Sequence, residues 1–200
     1  MFISFEGTEG VGKTTLIRKL FEHFQAQGKD VVLTREPGGT PLAEQIRGLL
    51  LSVNHEEKMS HDTELLLMYA ARAQHVETVI LPALAEGKIV LCDRFTDSSF
   101  AYQCAGRGLS REKLQLLNEN FVSRMPDLTF WLDAPIELGM TRARERGALD
   151  RFEQEKVAFF ASVRAGFAEI HTREPERMKR LDATQSPEQV FAEALSYLVE

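Results

Sequence analysis

Cysteine is scarce in this 200-residue chain, with only Cys92 and Cys104 present. They form no C-x-x-C pair and join no cysteine–histidine cluster, so neither a disulfide framework nor a zinc site is expected, and a reducing compartment fits. His23, His55, His61, His75 and His171 show no metal-ligand spacing, and none is assigned a role. Long apolar runs are missing too: nothing approaches the ~20 residues of a membrane span. The opening Met1-Phe2-Ile3-Ser4-Phe5 runs straight into Glu6, without the basic stretch and apolar core of a signal peptide. A soluble, cytoplasmic protein is the expectation. Positive charge is not in excess either, and a net charge of −6 argues against a general nucleic-acid or membrane binder. Any phosphate recognition must be local.

What is present suits one globular domain spanning 1–200, with 44% hydrophobic and 27% charged residues and neither repeats nor a Pro/Gly-rich linker. Short apolar segments at 2–6, 31–34, 89–92, 128–132 and 178–181 read as buried strands. Between them, helical patterns cover 14–27, 42–51, 62–86, 136–146, 154–172 and 187–199, and the stretches 51–61 and 147–151 read as loops. Strands alternating with helices predict a three-layer α/β architecture with a five-stranded parallel sheet, whose ligands gather at the strand C-termini.

The run Gly7-Thr8-Glu9-Gly10-Val11-Gly12-Lys13-Thr14 matches G-x-x-x-x-G-K-[ST] between an apolar strand and an amphipathic helix, the Walker A context. Its glycines let backbone N–H groups turn toward phosphates, and the helix N-terminus adds partial positive charge. Lys13 would reach the β and γ phosphates of ATP, and Thr14 would ligate Mg²⁺ through its hydroxyl. The nucleotide-binding set therefore runs from Gly7 through Thr8, Glu9, Gly10, Val11, Gly12, Lys13 and Thr14 to Thr15. A carboxylate at Glu9 would repel a triphosphate, which leaves two readings for it: a contact to an acceptor hydroxyl, or a cap on the helix.

Neither N-K-x-D nor a suitably placed D-x-x-G occurs, which sets a GTPase switch aside. The third strand runs into Asp93-Arg94 rather than Asp-Glu. A carboxylate for Mg²⁺ followed by a phosphate-binding arginine suits transfer to an acceptor phosphate better than hydrolysis. Arg35 after the second strand, Arg72 on the long helix, and Arg142, Arg144, Arg146 and Arg151 near Gly147 would add further phosphate contacts, since the planar guanidinium pairs phosphate through two hydrogen bonds, while the turn opening at Pro37 lets backbone approach the acceptor closely.

Arg35-Glu36-Pro37-Gly38-Gly39-Thr40, Asp93-Arg94-Phe95, Ser98-Ser99, Ala101-Tyr102-Gln103, Gly106-Arg107-Gly108 and Leu149-Asp150-Arg151-Phe152-Glu153 together resemble the bacterial thymidylate kinases, and the resemblance runs nearly the whole chain. It implies the P-loop nucleoside-monophosphate-kinase fold, ATP and dTMP as substrates, Mg²⁺ as cofactor, no nucleic acid or membrane partner, and a homodimer. It also implies roles. Arg72 and Arg94 would hold the acceptor phosphate, Glu9 the sugar 3′-hydroxyl, and Asp93 the surroundings of Mg²⁺. Arg72, Ser99 and Gln103 would read the thymine edge, with Tyr102 where a ribose 2′-hydroxyl would lie and Phe152 closing over the sugar. Lys13, Asp93, Arg94 and Arg146 form the implied catalytic set. Arg146 would be the lid arginine within a lid at about 142–153, and Arg142 would belong to the nucleotide site.

The chain departs from that pattern at Met68, where the family commonly has a phenylalanine that stacks on thymine. A core methionine and a base contact both remain open there. Other nucleoside-monophosphate kinases and a non-enzymatic nucleotide switch are the competing readings.

Overall fold

The computed structural model describes residues 1–146 and 150–198, apart from the side chains of Arg144 and Arg146. All five expected strands form: β1 (Phe2–Glu6), β2 (Val31–Arg35), β3 (Ile89–Asp93), β4 (Leu128–Asp133) and β5 (Met178–Asp182). Every pairing is parallel, in the order β2-β3-β1-β4-β5. Phe2, Ile3 and Phe5 of the central β1 are fully buried, as expected of a strand covered on both faces.

The covering helices are α1 (Lys13–Ala26), α2 (Pro41–Leu51), α3 (His61–His75), α4 (Leu81–Ala85), α5 (Thr96–Ser99), α6 (Arg111–Phe121), α7 (Ile136–Arg146), α8 (Val157–Arg173) and α9 (Pro187–Ser196). Two π-helical turns interrupt them. One, Val76–Ile80, separates α3 from α4 and divides the helix expected over 62–86. The other, Phe100–Gly106, continues α5. Helix α8 begins at Val157 rather than 154, because Asp150 draws the preceding chain into a turn by accepting from the Phe152 and Glu153 N–H groups.

Two local features position the functional edge. The pairing of Phe5 with Asp93 makes β1 and β3 neighbours, so the loop after Glu6 and the turn at Asp93-Arg94 leave the sheet side by side. Helix α8 packs closely on the π turn at Gly166, where a Cβ would meet the Ala105 Cβ at 2.8 Å. That contact, with Trp131 stacked on Phe167, fixes the segment carrying Ser99, Tyr102 and Gln103. Among the described residues no helix is long and apolar enough to cross a membrane.

Candidate active site

Gly7 to Gly12 connect β1 to α1, and Gly7, Gly10 and Gly12 take φ values of 134°, 71° and 99°, a region open to glycine at little cost. A Cβ at Gly7 would run into the Leu132 carbonyl oxygen, and one at Gly10 into that of Gly139. Helix α1 has no side-chain cap and no acidic residue in its first turn, which leaves its leading N–H groups available to an anion. Lys13, only 8% exposed, folds back so that Nζ donates to the carbonyl oxygens of Gly7 at 3.2 Å and Thr8 at 3.0 Å. Burial, with the Arg94 charge adding to it, lowers the Lys13 pKa to about 8. A bound polyanion would offset both effects.

Arg94, just past β3, is the one described non-glycine residue with positive φ, at 70°. Its neighbours over-determine that conformation. Its N–H donates to Phe5 O at 2.9 Å, Nη1 donates to Ser98 Oγ at 3.1 Å, and Nη2 donates to Glu9 Oε1 at 2.9 Å. The guanidinium also lies over the Tyr102 ring, 5.0 Å from its centre. Burial opposes its charge, yet Tyr102, Glu9, Asp93 and Glu6 around it raise its pKa above the usual arginine value. Beneath it, Glu6 accepts from the Phe95 N–H at 2.7 Å and from Ser98 Oγ at 2.5 Å. Burial first, then the charge of Asp97, pushes the Glu6 pKa up to about 8.

A cleft with about 530 Å³ of empty space opens beside this pair. Of the expected acceptor-side residues, Glu9, Pro37, Met68, Arg72, Arg94, Ser99, Tyr102, Gln103 and Phe152 all line it. Glu9 makes no helix cap: Oε1 accepts from Arg94 and from the Tyr102 hydroxyl at 2.7 Å, while Oε2 is buried without a hydrogen-bond partner. Met68 both lines the cleft and packs against the buried cluster around Leu65 and Tyr69. Phe152 meets the Tyr102 ring edge-on at 5.9 Å.

Arg72 is anchored on three sides, its Nε donating to Glu36 at 2.6 Å, Nη1 to Ser99 Oγ at 3.1 Å and Nη2 to Phe95 O at 3.1 Å. Glu36 in turn engages His75 Nδ1 at 2.9 Å. His75, given no role from sequence, therefore steadies the arginine through Glu36, and its Nε2 lies 2.5 Å from Thr34 Oγ1.

Arg35 departs from expectation. It ends β2 on the outward face, 55% exposed and paired with Glu44, because strand alternation turns Thr34 inward and Arg35 out. From this part of the chain it is Arg47 that lines the cleft, its Nη1 donating to Pro37 O at 2.8 Å. Sequence reading passed over it, although Ala43, Arg47 and Leu50 share one face of α2 and flank a Pro-Gly-Gly turn.

The cleft continues into a groove lined by Gly10, Gly12, Lys13, Thr14, Asp93 and Arg142, and Glu9, Arg47, Arg94 and Asp150 border both. On the other side of the loop, Val11, Thr15, Leu16, Leu132, Ala183, Gln185 and Pro187 form an apolar slot that Arg142 also reaches. Among the described residues no three His, Cys, Asp or Glu side chains gather into a metal cage. The buried Asp93 Oδ1, however, lacks a partner and shares the groove with the exposed Thr14. One carboxylate and one hydroxyl fit Mg²⁺, which keeps most of its waters and takes remaining ligands from phosphates. The side chains of Arg144 and Arg146 and residues 147–149 lie outside the described residues, so residues 142–146, without those two side chains, and 150–153 represent the expected lid.

Comparison with known proteins agrees with this geometry. A profile of the thymidylate kinase family matches residues 5–194. The thymidylate kinase of Acinetobacter baumannii (strain SDF) is 78% identical over 99% of this chain and 100% of its own length. That of Pseudomonas putida (strain W619) is 56% identical over 95% of this chain and 92% of its own. The crystal structure of thymidylate kinase from Ehrlichia chaffeensis superposes with a TM-score of 0.82 at 34% identity, covering 99% of this chain and 98% of that one. With the P-loop, the Asp93-Arg94 turn and the lined acceptor cleft on one sheet edge, the chain belongs to the thymidylate kinase family.

Proposed function

We propose that this kinase transfers the γ-phosphoryl group of ATP to the 5′-phosphate of thymidine monophosphate, yielding ADP and thymidine diphosphate in dTTP synthesis. The observation that carries the reading is the continuity of cleft and groove, which share Glu9, Arg47, Arg94 and Asp150. A monophosphate in one and a triphosphate tail in the other would meet at Arg94.

In this reading the acceptor phosphate oxygen attacks the γ-phosphorus, and the bond to the β–γ bridging oxygen breaks. Such a transfer asks the protein mainly to align two anions and to surround the equatorial oxygens with positive charge. Lys13 and the α1 N-terminus take the donor phosphates. Arg94, backed by Glu9 and Ser98, takes the acceptor phosphate, with Arg47 beside it. Mg²⁺, held by Thr14 and Asp93, would neutralise donor phosphate charge. Asp93 then organises ligands rather than accepting a proton, because the attacking phosphate is already largely ionised at neutral pH.

In this reading Glu9 Oε2, buried without a hydrogen-bond partner, accepts from the sugar 3′-hydroxyl. Tyr102, held by the same carboxylate, leaves a 2′-hydroxyl against an aromatic ring, which favours the deoxy sugar. Arg72, Ser99 and Gln103 face the base, and the slot beside Ala183 and Leu132 takes adenine. The reading includes a cytoplasmic homodimer. Leu66 on α3 and Leu116 on α6, exposed by 58% and 61%, are candidates for its interface.

A coupled assay of ADP release tests the reading. Release should require an acceptor and follow dTMP > dUMP over dCMP and dGMP. Release that ignores the acceptor would make the protein a hydrolase or switch instead.

A further inference from the structure

Gln103 sits 1% exposed on the wall of the cleft, and its Nε2 donates to Glu64 Oε1 at 2.9 Å. Glu64 is itself 1% exposed, at the first turn of α3. Three further donors converge on it: Arg107 through Nε at 3.4 Å and Nη2 at 3.3 Å, and Arg151 through Nη1 at 2.7 Å. With two guanidiniums claiming its oxygens, Glu64 can only accept, so the Gln103 amide must face it with its nitrogen. The carbonyl oxygen of Gln103 is left for the cleft.

We infer that Glu64 is a specificity-determining positioning residue, which fixes the Gln103 amide so that the base meets a hydrogen-bond acceptor. The inference rests on the reading of Gln103 as facing the base. Arg72, anchored through Glu36, offers only donors beside it. A donor next to an acceptor matches thymine or uracil, which show a carbonyl O4 next to an N3–H. Cytosine shows an amino group next to a bare N3, so both contacts would set like against like. Buried polar groups left unpaired are the strongest discriminators a pocket has. Glu64 touches no substrate in this arrangement and acts through Gln103.

Substitution of Glu64 by glutamine should turn the preference. Arg107 and Arg151 would claim the new amide oxygen, its NH₂ would face Gln103, and the Gln103 amide would flip to show a donor. In steady-state assays, E64Q should narrow the kcat/KM ratio of dTMP to dCMP by about tenfold or more. The ratio of dTMP to dUMP should stay where it is, since both bases show the same edge. A merely structural role would lower all three substrates together, and that result overturns the inference. Should E64Q not fold, Glu64→Asp decides in its place. It keeps the charge for both arginines but draws the oxygen away from Gln103, and it should shift the same ratio, less far. An unchanged ratio in the folded variant counts against Glu64. Gln103→Leu separates the two layers. If it leaves the dTMP to dCMP ratio intact, the base-facing reading of Gln103 fails and takes the inference with it. If it narrows that ratio while E64Q does not, the role of Glu64 alone fails.

Discussion

Arg94 and Glu9 join the turn after β3 to the phosphate loop, Nη2 donating to Oε1 at 2.9 Å. The contact uses one carboxylate oxygen and leaves the other buried and unpaired. Removing Glu9 therefore releases Arg94 and deletes the acceptor offered to the sugar. Glu9→Ala should raise KM for dTMP by about 10- to 100-fold, in line with loss of a charge-assisted hydrogen bond, while KM for ATP changes little. A 3′-deoxy analogue of dTMP checks the assignment: it should bind the wild type poorly, yet lose less than dTMP does in the variant.

Lys13 carries a pKa lowered to about 8 by burial and by Arg94, so part of the free enzyme holds it neutral above that pH. Bound triphosphate restores its charge. Calorimetric titration of MgATP at pH 8.5, in buffers of differing ionisation heat, should show net proton uptake. The Lys13→Met protein should show neither that uptake nor turnover.

Glu6 gives the fold a pH dependence of opposite sense from an ordinary paired carboxylate. Its pKa stands at about 8 in the folded chain against an ordinary 4.5, through burial and the Asp97 charge. Between these values the folded protein keeps a proton that the unfolded chain has lost. The stability contributed is complete below about 4.5 and is lost as pH rises through about 8, with a slope of at most ~1.4 kcal/mol per pH unit. Melting temperatures should fall over this window in the wild type and stay flatter in Glu6→Gln. Parallel curves would exclude Glu6 as the source.

Gly139 on α7 lies against the phosphate loop, where a Cβ would meet Glu9 O at 2.5 Å. Gly139→Ala must push that backbone aside. Since misplacement of about 1 Å can cost ~10²-fold in rate, kcat/KM for ATP should drop by about that factor. Circular dichroism should show the fold retained.

Arg146→Ala should lower kcat by at least about 10³-fold with KM for dTMP nearly unchanged, as for an arginine that meets charge only in the transition state. An unaltered kcat would exclude Arg146 from that role and turn attention to Arg142, which borders the phosphate groove.

Much of this was legible in the chain alone. The strands matched to within a residue, because buried parallel strands leave apolar runs such as Ile89 to Cys92. The Walker A and Asp93-Arg94 motifs lie on adjacent strands, as their chemistry requires. What sequence reading left out has local causes. Residues 96–121 carried no helix assignment, since the π-helical Phe100–Gly106 breaks the helical period, although Ser110 caps α6 ahead of Leu114 and Leu117. Arg35 and Arg47 exchanged places because motif proximity says nothing about which way a side chain turns from its strand. Glu64 and Glu6 received no role from sequence, because only the folded chain brings arginines or buried amides to them.

The close approach of Gly10 to Gly139 makes α7 a lever with its fulcrum at the phosphate loop. Arg142 and Arg146 lie about one and two turns beyond that fulcrum on the same rigid rod. A tilt of the rod that swings the arginines inward must bear on the backbone cradling ATP, and a filled cradle resists the opposite swing. In the proposed lid role, delivery of the arginines would therefore be tied to the state of the phosphate loop.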